Sequence, residues 1–152
     1  MSNTFDAEQF LNITVDSPFT DRIPLPGGEY IAIVGILKPR TWTSKDGTKS
    51  GIALDIPLVV DVPAEAQQSC GFGPTTQLTD SAMIDMAESG FGFDFGPGKN
   101  RVLKEYREAT DLNRPGEKFG LLMLQGKVIR VRITHDVYEG KPREKIVGRT
   151  HI

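Results

Sequence analysis

Two aromatic side chains lie among cations in this sequence, a combination suited to polyanions that carry planar rings. Trp42, the only tryptophan, sits between Thr41 and Thr43 with Lys38, Arg40, Lys45 and Lys49 around it. Tyr138 stands close to Gly140 and Lys141, and Arg130, Arg132, Lys145 and Arg149 lie on either side of that segment. An indole in a polar turn has little core to join, so its face is free to stack on a base. Lysine and arginine pair with phosphates. These are the contacts that hold unpaired nucleic-acid strands, each stack contributing about 1–3 kcal/mol. The competing account is plainer: Trp42 caps one end of the core, and the cations form an ordinary solvated face.

Other chemistries find less support. Cys70 has no His or Lys near it in sequence to activate a thiolate, and with His135 and His151 it makes no zinc set. Gly96-Pro97-Gly98-Lys99-Asn100 precedes a helix-like stretch as a phosphate loop does. Phe93, however, occupies the place of the first glycine, and Asn100 that of the Mg²⁺-binding Ser or Thr. The acids Asp80, Asp85, Glu88 and Asp94 have no second set of ligands or bases beside them. The expectation is a binding protein, with no catalytic residue, metal site or cofactor.

The elements that must position these residues follow from periodicity. Ile129, Val131 and Ile133 alternate with Arg130, Arg132 and Thr134, the period of two of a half-buried strand. Glu144 to Thr150 reads as its hairpin partner, with Lys145 and Arg149 on one face and Ile146 on the other. Upstream, Glu29 to Lys38 is apolar on both faces and interrupted by Gly35, which suits a strand bending across a closed barrel. Pro39 is expected to end its pairing. Asp46-Gly47 marks a hairpin turn, and Gly51 to Val60 returns as strand two, where Pro57 implies an edge or a bulge. Gln77 to Met86 is a third strand. Val102, Leu103, Tyr106 and Ala109 form the apolar stripe of a helix from Lys99 or Asn100 to Leu112. Phe119 to Leu124 reads as a single closing turn, and Ala64 to Gln68 as another.

Residues 1–27 read as an extended arm held open by Pro18, Pro24 and Pro26, with some of Phe10, Ile13, Phe19 and Ile23 docking on the domain formed by residues 28–152. Tyr30, Tyr106, Phe91, Phe93 and Phe95 are assigned mostly to core and cover. An alternative makes the Phe91–Phe95 loop a partner-binding patch.

The totals set bounds. With 152 residues, 38% hydrophobic and 25% charged, the chain fits one soluble domain with a proper core. Sixteen Gly and ten Pro favour strands and turns over long helices. No apolar run approaches a membrane span, Met1 to Phe10 lacks a signal-peptide pattern, and one cysteine forms no internal disulfide, so the expected setting is cytoplasmic without membrane contact. The net charge of −2 hides a gradient: residues 127–152 carry seven Lys or Arg against three acids, whereas residues 61–98 carry six acids and no base. Sorted charge of this kind attracts a polyanion to one part of the surface.

The expected order is strand, basic loop, strand, long acidic loop, strand, helix, strand, loop, strand. That is a mainly-β, OB-fold-like five-stranded barrel with one helix between strands three and four. In such a fold the loops here spanning 39–50 and 136–142 flank the ligand face. Three entries to elements, Leu25-Pro26-Gly27-Gly28-Glu29-Tyr30, Phe93-Asp94-Phe95-Gly96-Pro97-Gly98-Lys99-Asn100 and Leu124-Gln125-Gly126-Lys127, resemble those of small bacteriophage single-stranded DNA-binding proteins. The resemblance implies an OB-like fold and DNA binding in phage replication or recombination, and it carries no binding residue with it. Single-stranded DNA is therefore the expected partner, bound with little sequence preference through Lys38, Arg40, Trp42, Lys45, Lys49, Arg130, Arg132, Tyr138, Lys141, Lys145 and Arg149. A homo-oligomer is compatible with the sequence. The alternative is a phage structural or accessory protein acting through its arm or its phenylalanine loop.

Overall fold

A computed structural model describes residues 4–152, so the first three residues of the expected arm lie outside the described residues. Its elements in order are α1 (Ala7–Leu11), β1 (Gly28–Val34), β2 (Lys38–Thr43), β3 (Ser50–Asp61), α2 (Ala64–Cys70), β4 (Thr75–Ile84), α3 (Arg101–Ala109), a single 3-10 turn (Leu121–Leu124), β5 (Val128–Tyr138) and β6 (Lys141–Thr150). The protein is mainly β, and its strands form one antiparallel sheet.

β3 is the spine of that sheet. One of its edges pairs with β4 from Ile52↔Ile84 to Asp61↔Thr75. The other edge is divided: β1 pairs with its C-terminal part, Val34↔Leu58 to Ala32↔Val60, and β2 with its N-terminal part, Lys38↔Asp55 to Thr43↔Ser50. The expected first strand is thus broken in two, which makes six strands instead of five. Gly35 and Pro57 cause the break. Gly35 N–H donates to Pro57 O at 2.8 Å, and in an antiparallel pair the same two residues would return a bond from Pro57 N–H, which proline lacks. A Cβ on residue 35 would lie 3.3 Å from Pro57 Cβ and O, so any other residue would press the two backbones a few tenths of an ångström apart. The groups freed at the break find other partners: Leu37 N–H donates to Gln125 Oε1 at 3.0 Å and Gly126 N–H to Val34 O at 2.8 Å.

Two expectations about proline are corrected here. Pro57 lies in an interior strand, at the point where that strand changes partner. Pro39 does not end the pairing but stands opposite Leu54 inside β2, because β2 is an edge strand and has a side on which no N–H is needed.

β1 also pairs with β5, Gly28↔Ile133 to Ile33↔Val128, and β5 with β6. The sheet is not a closed barrel, since β4 and β6 are not hydrogen-bonded neighbours among the described residues. A side-chain clasp joins these two terminal strands instead. Arg149 of β6 donates from Nε to Asp80 Oδ2 at 2.9 Å and from Nη2 to Asp80 Oδ1 at 3.0 Å. Tyr106 of α3 donates its hydroxyl to the same Asp80 Oδ2 at 2.5 Å, and Glu105 lies 3.6 Å from Arg149. All three members of the clasp are buried. Burial alone would favour a neutral Arg149, yet the Asp80 carboxylate outweighs it and holds the guanidinium above its ordinary pKa. Burial beside Asp80 pushes the Tyr106 hydroxyl well up.

Under the clasp lies the core: Leu54, Ile56, Leu58 and Val60 from β3, Ile129, Val131 and Ile133 from β5, and Leu103, Tyr106 and Ala109 from α3. The spacing of those three helical residues puts them on one stripe. The helix ends earlier than its apolar pattern suggests, because Asp111 adopts a left-handed conformation at φ 59°. At its start, Asn100 donates from Nδ2 to Asp85 O at 2.8 Å and to Asp94 O at 3.1 Å, tying the glycine-rich loop to the end of β4.

The arm is rooted on the β5–β6 hairpin. Leu25 is fully buried, its N–H donates to Glu144 Oε2 at 3.2 Å, and its carbonyl meets His135 Nε2 at 2.5 Å. Arg22 pairs with Glu144, and Lys141 with Asp21 at 3.0 Å. Beyond this root the expectation fails: Phe10, Ile13, Phe19 and Ile23 are all exposed and dock on nothing. Phe91 and Phe95 are likewise exposed, at 89% and 83%, and only Phe93 packs against the core.

Replacing Arg149 with Met leaves Asp80 buried without its cation, which should cost about 3–5 kcal/mol in urea unfolding; a loss of about 0.5 kcal/mol, the scale of a surface change, would show that the clasp holds nothing. Burial would raise the Glu144 carboxyl, but the bonds from Arg22 and from the Leu25 N–H prevail and hold it below its ordinary value of 4.5. A depressed carboxylate stabilises the fold above its unfolded value and loses that contribution as pH falls through the folded one. The arm root should therefore stay anchored down to pH 4.5 and loosen below it, read from the Leu25 amide shift by NMR; a transition at or above that value contradicts the anchor.

Candidate functional site

Pairing places most of the singled-out residues on one face of the sheet. Directly opposed residues share a face, and successive residues alternate. On β3 the inward set is Leu54, Ile56, Leu58 and Val60, so Gly51, Ala53, Asp55, Pro57 and Val59 point outward. Their partners on β2 are Trp42, Arg40 and Lys38. Through β1 the same outward row continues to Val128, Arg130 and Arg132 on β5, and by alternation to Thr134, Asp136 and Tyr138. Opposite these last three stand Lys145, Arg143 and Lys141 of β6. Eight of the eleven expected site residues therefore share the outer face.

The other three lie elsewhere. Lys45 and Lys49 sit in the turn joining β2 to β3, which Asp46 organises: its Oδ1 accepts from Ser44 Oγ at 2.5 Å, Thr48 Oγ1 at 2.8 Å and Thr48 N–H at 3.1 Å. Those bonds, that from Ser44 first, hold its carboxyl down at about 2. Arg149 points inward, as a member of the clasp. Sequence alternation puts it beside Lys145, but the ladder shifts between Arg132↔Gly148 and Ile133↔Ile146. The extra residue, Val147, is a bulge, and a bulge exchanges the faces beyond it. Arg149 is therefore engaged with Asp80 inside the protein and is not on the outer face.

The two expected loops are also corrected. Half of residues 39–50 is strand, and the six residues from Ser44 to Lys49 around Asp46-Gly47 form the turn. Residues 136–142 hold just a two-residue turn, with Glu139 and Gly140 at φ 52° and 78°, a type I′ geometry that matches the twist of the strands. The aromatics thus stand on strands. Trp42 is half-buried with its indole lying flat against Gly51, where a Cβ would come within 2.9 Å of Nε1. The glycine is what seats the ring, since any side chain there would meet it. Tyr138 is 56% exposed, with the Arg143 guanidinium 4.4 Å from its ring centre.

A cleft of about 700 Å³ lies at the open seam; its lining includes Thr79 and Ser81 of β4, Arg101 of α3, and Arg143 and Lys145 of β6. Arg40 reaches toward this cleft, with Nη2 3.4 Å from Ser81 Oγ. Several cations of the face are already engaged: Arg40 with Asp55 at 3.0 Å, Arg143 with Asp136 at 2.8 Å, Lys141 with Asp21, and Arg130 with Glu29 at 3.9 Å. Lys38, Lys45, Lys49, Arg132 and Lys145 have no ion-pair partner among the described residues.

Sequence reasoning missed an apolar stripe on the same face. Ile33 stands opposite both Val59 and Val128, and all three are exposed. Nothing local in the sequence marks it, since Ile33 belongs to a run that reads as buried on both sides. Arg143 was missed as well, for only its position in the hairpin puts it over Tyr138.

Fold and site together define a mainly-β protein whose single antiparallel sheet presents one aromatic and cationic face. The chain matches no protein-family model and no curated protein.

Because Trp42 is the only tryptophan, its fluorescence reports directly on its seat. Gly51→Leu should lift the indole from β3 and shift its emission to the red, while Gly47→Ala in the turn should leave it in place. An unchanged spectrum for Gly51→Leu would mean that the ring does not rest there.

Proposed function

We propose that this chain is a non-catalytic module that binds single-stranded DNA across the outer face of its sheet, with little sequence preference. The observation carrying the reading is the convergence of Lys38, Arg40, Trp42, Arg130, Arg132, Tyr138, Lys141 and Lys145 on that one face. The strand order supports it. If β1 and β2 count as one bent strand, the sheet has five strands in an OB-like sequence, with α3 following the third strand and covering the seam. In that fold the face of strands two and three and the loops joining strands one to two and four to five take oligonucleotides, and the turns in those two places here flank the outer face. The resemblance to phage single-stranded DNA-binding proteins extends the proposal to phage DNA replication or recombination.

In this reading the Trp42 indole takes a base, and the exposed ring of Tyr138 takes another. The unpaired cations meet successive phosphates, while Ile33, Val59 and Val128 give sugars and base edges a dry floor. Backbone charge and stacking are common to every base, so the affinity is indifferent to sequence. Asp55 and Glu29 temper the face by engaging Arg40 and Arg130, and this limits how many counterions binding can release.

Anisotropy with labelled oligo-dT measures both contributions. Full engagement of the five unpaired cations corresponds to a log–log salt slope of about −3.5 for single strands. Trp42→Ala, which removes one stack of about 1–3 kcal/mol, should weaken binding by roughly 5- to 150-fold. No binding at low salt, or binding indifferent to both salt and Trp42→Ala, would overturn the proposal.

A further inference from the structure

The arm and the groove beside α3 are complementary surfaces that the chain leaves uncovered on itself. Phe5, Phe10, Leu11, Ile13, Val15 and Phe19 are all exposed, Phe19 at 91%. No residue of α1 is buried, and Phe5 and Phe10 meet each other, at 5.7 Å between ring centres. A helix of five residues gains too little from its own hydrogen bonds to persist in water, and so many bare apolar side chains in one segment mark a contact surface. The charge of the segment is also one-sided: from Thr4 to Asp21 it carries Asp6, Glu8, Asp16 and Asp21 and no Lys or Arg.

Beside α3 lies a groove of about 780 Å³ whose lining includes Phe93, Phe95 and Phe119. Its rim carries Lys99, Arg101, Lys104, Arg107 and Lys118 against only Asp94 and Glu117. Arg107 stacks its guanidinium 4.4 Å from the Phe119 ring centre, which fixes that wall. The groove therefore offers aromatic surface within a cationic rim, and the arm offers aromatic side chains among carboxylates.

We infer that the α1 segment of a second copy of this chain, from Phe5 to Ile13, docks in the groove between the Phe93–Phe95 loop and Phe119. Phe10 and Leu11 enter the apolar floor, and Asp6 and Glu8 face Lys99 and Lys118. The root of each arm is pinned to its own β5–β6 hairpin through Asp21, Arg22 and Leu25. Each arm thus leaves the body from a fixed point and is free to cross to a neighbour. Reciprocal exchange closes a two-fold dimer with two such contacts. The groove is built without Trp42 or the outer cations, so the inference stands or falls independently of DNA binding.

Sedimentation of the full chain without DNA tests it. The wild type should associate to at least twice its monomer mass in the micromolar range, with the monomer fraction growing on dilution. Two variants should each sediment as monomers: Asp6→Lys with Glu8→Lys, which reverses the arm, and Lys99→Glu with Lys118→Glu, which reverses the groove. All four positions are exposed, so folding should survive, and circular dichroism checks that it does. An equal mixture of the two variants should recover the association, because each then supplies the charge the other expects. A wild type that is monomeric throughout the micromolar range overturns the inference. So does association untouched by either pair of substitutions, or variants whose mixture fails to recover it. A synthetic peptide of residues 4–20 should break up the wild-type assembly; if it binds instead at the sheet and is displaced by Trp42→Ala, the groove is the wrong site.

Discussion

The buried contact among Asp80, Arg149 and Tyr106 is the constraint on which the rest of the structure depends. A sheet whose first and last strands do not pair has two raw edges, and hydrophobic burial alone does not fix how far apart they lie. Two charges withdrawn from water do fix it, because either one left alone would be strongly unfavourable. The tyrosine hydroxyl, arriving from α3, seats the helix on the same carboxylate. One carboxyl group thus sets the width of the seam, the position of the helix and the shape of the cleft lined by Ser81, Arg143 and Lys145.

A second constraint works at the other end of the sheet. Gly35 and Pro57 break the first strand, and after the break the chain continues as β2 along the same edge of β3. The turn formed by Asp46 and Gly47 therefore stands at the end of a section in which β3 is flanked by β2 and β4, with Trp42 set against Gly51. The β5–β6 hairpin runs past the start of β1, with Tyr138 near its tip. Both aromatics gain from this: a side chain on a paired strand with a defined neighbour beneath it has little conformational freedom to lose on binding. For the binding proposed above, rings placed on paired strands are better fixed than rings in the loops that the sequence suggests.

Much of the fold was legible because its signals are local. The alternation of Ile129, Val131 and Ile133, the turns at Asp46-Gly47 and Gly140, and the stripe of Leu103, Tyr106 and Ala109 each depend on residues a few positions apart. Apart from Arg149, the cationic character of the face was legible for the same reason, since alternation assigns Arg130 and Arg132 to one side whatever lies across the ladder. Reasoning failed where a distant partner decides. Pro39 looked like a stop, and is tolerated because β2 has an open edge. Arg149 looked like a surface cation, and a one-residue bulge turned it inward to Asp80, far away in the chain. Some of Phe10, Ile13, Phe19 and Ile23 were expected to dock on the domain because large apolar side chains usually find cover, and all four are exposed.

By itself the sequence determined the mainly-β character, the order of its strands and helices, and the sorting of charge toward the C-terminal hairpin. All of these follow from residue type and short-range periodicity. Only the tertiary structure decided which cations are spent inside the protein, where the first strand breaks, that the sheet stays open, and that Ile33, Val59 and Val128 meet on one surface. Those outcomes depend on register and on contacts between residues far apart in sequence, and a shift of a single position in a ladder changes which side chains see water.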